Sequence, residues 1–156
     1  MIPINILVLS IDHGTSGIKA AIVSVHGKVV DYEYEKTPIT FSPGGGAEQN
    51  PDDWWRALTA ACARLTARQA VPTEAIAAVA VSSTFSTTVA VDKNGDPLMN
   101  ALTWMDSRGA PYVKKLMNGF PSVDGYGIFR IMRWLPKTGG GPTLSGKDDI
   151  AHVLLH

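Results

Sequence analysis

The sequence predicts an α/β protein. Residues 4–11 are dense in β-branched residues and leucine, and two further strand-like runs follow across glycine turns. An Asn50-Pro51 pair then opens a stretch with helical apolar spacing. A second buried strand, residues 76–81, comes after that helix.

In chain order, residues 4–11 form the first strand. Asp12, His13, Gly14, Thr15, Ser16 and Gly17 turn into a second strand at 18–25. His26-Gly27 makes a tight turn into a third strand at 28–35, which gives a three-stranded antiparallel meander. Gly44-Gly45-Gly46 reads as a flexible loop. Asn50 or Asp52 caps a helix, with Pro51 pre-set for its first turn. Asp52 and Asp53 suit the positive end of that helix. Trp55, Leu58, Ala61, Cys62 and Leu65 make its apolar stripe, and Trp54, Trp55 and Cys62 read as core. After the strand at 76–81, residues 89–91 continue as strand, and Asn94-Gly95 marks a hairpin turn. A further strand is expected at 102–104. Residues 129–135 read as a helix stopped by Pro136, and Ser145 as the cap of a last helix, with Asp148 three residues on. His152 and His156 read as solvent-facing or packing residues. No linker divides the chain. The length suits one modest domain or an incomplete piece of a larger one, and in the second case apolar faces should be exposed, Leu154 and Leu155 among them.

Composition excludes several functions. The 156 residues carry 14 basic and 14 acidic side chains and no net charge, which argues against nucleic-acid and membrane-surface partners. One cysteine, Cys62, permits no internal disulfide and no cysteine zinc cluster. The apolar N-terminus lacks a basic flank and a small-residue cleavage site, and no segment reaches membrane-spanning length. A soluble cytoplasmic protein is expected.

The turn after the first strand raises a chemical question, because glycines flanked by Asp12 and Lys19 look like a phosphate loop. A P-loop fails: Gly14 and Gly17 are too close, Lys19 does not follow a glycine, and a strand comes next, not a helix. A dinucleotide fingerprint fails for the same reason. A tight turn between strands still exposes backbone N–H groups that can form an anion nest. Thr15 and Ser16 add hydroxyls, Lys19 adds a cation, and Asp12 is an oxygen ligand suited to Mg²⁺ or its water shell. The plain alternative is a hairpin with a polar turn.

This D-x-G-T-x-G-x-K turn resembles the first phosphate motif of the sugar-kinase, actin and heat-shock-chaperone ATPase superfamily. Two more blocks narrow the resemblance. "GGGAEQNPDDWWRAL" is similar to the G-x-x-E-Q-x-P-x-x-W-W segment of the FGGY carbohydrate kinases, and "TWMDSRG" to their W-x-D-x-R segment. "IMRWLPKT" fits a later family helix only loosely. The resemblance covers essentially the whole chain. It implies an actin-like (ribonuclease H-like) α/β fold with a mixed sheet, matching an incomplete N-terminal domain of a two-domain kinase.

It further implies transfer of the ATP γ-phosphate to a sugar or polyol hydroxyl, with Mg²⁺. Asp12, Gly14, Thr15, Ser16 and Lys19 would then hold phosphate and metal. Thr84, Phe85, Ser86, Asp106 and Arg108 would face the polyol, with Asp106 accepting its hydroxyls and Arg108 holding Asp106. The alternative is that Asp106 and Arg108 only pin a strand-to-helix corner. Asp106 and the 84–86 turn are expected near the same cleft edge as Asp12. The catalytic base is expected beyond His156, so the chain alone should be inactive; a homodimer of the full-length parent stays open. Residues 84–87 carry neither the Q-M-H-G-like segment of xylulose kinases nor the arginine-glutamate pair of glycerol kinases, so the sugar is not read. A non-catalytic nucleotide-binding module of the same superfamily is the alternative function.

Overall fold

The computed structural model describes residues 6–156. Two compact units form, Met1–Ile39 with Asn50–Thr84 and Thr40–Gln49 with Phe85–His156. No linker composition marks the division, because the chain changes unit three times, at 39–40, 49–50 and 84–85.

The first unit is built on a four-stranded mixed sheet. Strands β1 (Leu7–Gly14), β2 (Gly17–Ser24), β3 (Val29–Lys36) and β6 (Ile76–Ser83) lie in the order β3-β2-β1-β6. The first three are antiparallel, as the glycine turns require, and β6 joins β1 in parallel. The expected start of β1 at Ile4 lies outside the described residues. Its end runs on to Gly14, so Asp12 sits within the paired strand rather than after it.

Helix α1 (Pro51–Ala67) begins where Asn50 accepts a hydrogen bond from the Asp52 N–H at 2.9 Å. It packs on β2 and β3. Ala57 meets Ile11 and Ile18, and Ala61 and Leu65 meet Ala20. Small alanines let the helix approach the sheet closely. Trp55 departs from the expected stripe: it is 67% exposed, because the buried face runs through 57, 61 and 65, and at about a hundred degrees per residue position 55 lies well off that face. Arg64 and Arg68 tie the outer face of α1 to Asp31, Glu33 and Glu35 of β3.

Gly17 closes the β1–β2 hairpin at a point of contact with β3. A Cβ there would lie 2.3 Å from the Glu35 carbonyl oxygen and 2.7 Å from the Tyr34 ring. Backbone cannot yield as a flexible side chain can. Gly17→Ala is therefore expected to cost about 1–3 kcal/mol, read from urea unfolding; a loss below about 0.5 kcal/mol would mean that β3 gives way freely.

The second unit holds a three-stranded sheet, β4 (Thr40–Ser42), β5 (Gly46–Gln49) and β7 (Ala101–Leu102), and a small hairpin, β8 (Ser122–Val123) with β9 (Tyr126–Gly127). Residues 89–91 contribute only a bridge between Val91 and Pro97, and strand 102–104 shrinks to Ala101–Leu102, since Thr103 turns toward Ala47. Asp92 closes the Asn94-Gly95 turn with its own carboxylate.

Helices α2 (Ala110–Met117), α3 (Ile128–Thr138) and α4 (Asp149–Leu155) complete this unit around Val113, Met117 and Ala151. Pro136 does not stop α3. It sits two residues from the end, where one lost N–H bond is tolerated, and the left-handed Gly139 caps the helix through its N–H to Leu135. Asp148, not Ser145, caps α4 by accepting from the Ala151 N–H at 2.9 Å; the Ser145 hydroxyl instead donates to Thr143. Apolar side chains are exposed on each unit, including Val79 and Val81 on β6 and Phe129 and Met132 on α3. Leu154 is 36% exposed and Leu155 half-buried.

Candidate functional site

In the first unit, three strands bring three polar side chains together. Register places Asp12 opposite Lys19 on β2 and opposite Ser82 on β6. Lys19 Nζ donates to Asp12 Oδ2 at 3.0 Å, and Ser82 Oγ donates to Oδ1 at 3.0 Å. Lys19 first, then Ser82, holds the Asp12 carboxyl below its ordinary range. The carboxylate is ionised at neutral pH and still half open to water, with 49% of its side chain exposed.

Two residues beyond Asp12, Gly14 pairs with Gly17 across a two-residue turn of Thr15 and Ser16. The Thr15 carbonyl accepts from the Thr37 hydroxyl and the Ser16 carbonyl from the Tyr34 hydroxyl, so neighbouring side chains brace the turn from its carbonyl side. His13 is half-buried, its ring meeting the Trp54 ring edge-on at 4.8 Å, and burial pushes its imidazole down, toward the neutral form. Thr84 follows β6 directly and donates to the His13 carbonyl at 2.8 Å, so its hydroxyl hydrogen is committed to the protein.

In the second unit, Asp106 is fully buried. Its Oδ2 accepts from the Ala47 N–H at 3.0 Å and from Arg108 Nη2 at 2.7 Å; its Oδ1 accepts from the Arg108 backbone N–H at 3.0 Å. Burial would push this carboxyl up. The Arg108 fork and the two backbone donors outweigh it and hold the carboxyl below its ordinary range. Arg108 also donates to Glu48 Oε1 at 2.5 Å, and Asn100 holds the other Glu48 oxygen at 3.1 Å. Arg108 keeps 27% of its side chain exposed, whereas Asp106 exposes none. This geometry fits the corner-pinning alternative for Asp106: its acceptors are spent on protein donors, and the open member of the pair is Arg108.

Of the glycines at 44–46, Gly44 meets open space, while Gly45 and Gly46 are packed rather than parts of a loose loop. Gly45 has φ 91° and a Cβ there would meet Ser107 Oγ at 2.2 Å; the Ser107 N–H donates to the Gly45 carbonyl at 3.0 Å. Of the remaining sugar-side candidates, Phe85 is 85% exposed and Ser86 is buried with φ 51°. Sequence reading missed Glu48 as the second partner of Arg108, although it lies inside the E-Q-x-P string; His152, read as solvent-facing or packing, is buried, and its ring touches the Asp106 carbonyl.

A family model for the N-terminal domain of the FGGY family of carbohydrate kinases matches residues 7–133. A gluconokinase of Bacillus subtilis is 34% identical over 71% of this chain and 22% of its own length. A xylulose kinase of Streptomyces coelicolor is 32% identical over 89% of this chain and 26% of its own length. The crystal structure of a xylulose kinase from Bifidobacterium adolescentis shares the fold, with a TM-score of 0.72 at 24% identity, over 95% of this chain and 28% of that one. The chain thus spans 22% to 26% of the length of these two curated relatives.

Proposed function

Because this chain belongs to the FGGY family of carbohydrate kinases, we propose that it is the N-terminal portion of an ATP-dependent kinase that phosphorylates a sugar or polyol hydroxyl. The observation that carries the reading is the Asp12–Lys19–Ser82 cluster beside the Gly14–Gly17 turn. Asp12 offers one ionised, half-open carboxylate. That suits Mg²⁺ brought in on nucleotide phosphates, an ion that commonly takes one or two protein carboxylates and keeps several waters. When bound, the metal supplies neutralisation of phosphate charge. Asp12 orients it, Thr15 and Ser16 offer N–H and hydroxyl donors to phosphate oxygens, and Lys19 contributes positive field.

On the sugar side, Arg108 presents the open donors and Phe85 an exposed ring face, while Thr84 and Ser86 shape the backbone between strand and ring. Asp106 serves through Arg108, fixing its fork rather than touching the polyol. The proton-accepting base comes from outside these residues, and the chain alone is inactive. An ATP-using enzyme with a single cysteine fits the cytoplasm; no helix among the described residues is long and apolar enough to cross a membrane.

The test is phosphorylation by the protein at full family length over a panel of pentuloses, gluconate and glycerol. One or more members should be phosphorylated with ATP and Mg²⁺. ATP binding without phosphorylation of any member would favour the non-catalytic module.

A further inference from the structure

We infer that His152 is a positioning residue for the Asp106–Arg108 turn. The inference rests on the proposed function only for its consequence, since Arg108 is there the sugar-facing group.

His152 lies on α4 and is 1% exposed, a buried titratable side chain that the proposed chemistry does not use. Its Nε2 is 3.4 Å from the Asp106 carbonyl oxygen and its Nδ1 is 3.1 Å from Thr88 Oγ1. A carbonyl only accepts, so Nε2 carries the hydrogen. On a neutral ring, Nδ1 then accepts from the Thr88 hydroxyl. On a doubly protonated ring, Nδ1–H donates to Thr88 Oγ1, and the hydroxyl turns to Asp149 Oδ1, 3.2 Å away. Both charge states keep Nε2–H on Asp106.

The other end of the bridge is fixed as well. Thr88 exchanges backbone hydrogen bonds with Leu102 at 2.8 and 2.9 Å, and Leu102 leads into the turn that carries Asp106. Gly109 permits the close seat of α4: a Cβ there would lie 2.4 Å from the Ala151 carbonyl oxygen. Backbone contact at Gly109, which follows Arg108 directly, and the ring of His152 therefore hold α4 against the Asp106–Arg108 turn. A turn held at Asp106 fixes the carboxylate, and with it the guanidinium fork of Arg108.

The probe is the Arg108 Nε–H resonance of the ¹⁵N-labelled chain, assigned by its loss in Arg108→Lys. His152→Gln places an amide donor near the Nε2 position and keeps the link to Asp106. His152→Asn reaches only the Thr88 side, and His152→Leu removes both. Exchange of the Arg108 Nε–H with solvent should rise about tenfold in the Leu and Asn variants and stay near wild type in Gln. Rescue by Gln and not by Asn is a pattern that general loosening of the fold would not give. If Leu fails to fold, the Gln–Asn difference decides. Equal exchange in Gln and Asn, or unchanged exchange in a folded Leu variant, overturns the inference. Titrating the wild-type chain with D-xylulose, D-gluconate and glycerol tests the sugar-facing reading separately: an Arg108 Nε–H that shifts with none of them counts against that reading, while the exchange comparison still decides His152.

Discussion

Arg108→Leu should lower folding stability by about 3–5 kcal/mol, a large part of what a small protein has. The reason is the carboxylate left behind. Asp106 is fully buried, and Arg108 supplies its cationic side-chain donors. Two backbone N–H groups remain, which is too few for a charge removed from water. Since Arg108 is partly exposed, water can enter beside the leucine, which points to the lower end of the range. Asp106→Asn in the Arg108→Leu background should restore part of the loss, because no buried charge is then unpaired.

Acid titration reads the same pair. The folded-state carboxyl of Asp106 is depressed, so its contribution is full above the ordinary aspartate value of about 3.9. It is lost progressively as pH falls through that value and on through the lower folded one. In Arg108→Leu, burial is opposed by the backbone donors without the guanidinium, so the acid loss should begin at higher pH. Urea unfolding midpoints across this range measure both effects. A loss at neutral pH below about 1 kcal/mol would make the pair an ordinary screened surface contact.

If the proposed activity holds, Asp12→Ala in the protein at full family length should reduce turnover on the order of 10²-fold or more, while the Michaelis constant for the phosphorylated substrate changes by no more than about threefold. Asp12 is proposed to orient Mg²⁺ where charge shifts during transfer, and an interaction realised mainly in the transition state appears in the rate constant. Lys19→Ala should be milder. It removes the largest influence depressing the Asp12 carboxyl, but Ser82 still donates to that carboxyl and the group stays ionised at neutral pH. Steady-state kinetics on the best panel substrate give the comparison. Near-wild-type turnover in Asp12→Ala would leave the opening motif as a hairpin turn and nothing more.

The sequence by itself determined the sheet of the first unit. Strand periodicity, the Gly14–Gly17 and Gly27 turns, and the Asn50-Pro51 helix start all act over a few residues, so each is written locally. The Asp124-Gly125 turn of the β8–β9 hairpin, with φ 50° and 83°, is a local signal of the same kind, but strands of two residues carry no periodicity to flank it. The W-x-D-x-R string marked Asp106 and Arg108 as a pair.

Only the tertiary structure decided what surrounds that pair. The donors that saturate Asp106 include Ala47, 59 residues earlier, and the ring that touches its carbonyl is His152, 46 residues later. Neither partner belongs to a local pattern. The glycines at 45 and 46 looked like slack, yet a side chain at Gly45 would strike Ser107, and one at Gly46 would crowd Arg108. Trp55 had the right spacing for a core residue and lost its place because α1 turned Ala57, Ala61 and Leu65 to the sheet. Burial and hydrogen-bond saturation are properties of where distant segments meet, and so no local pattern around Asp106 could carry them.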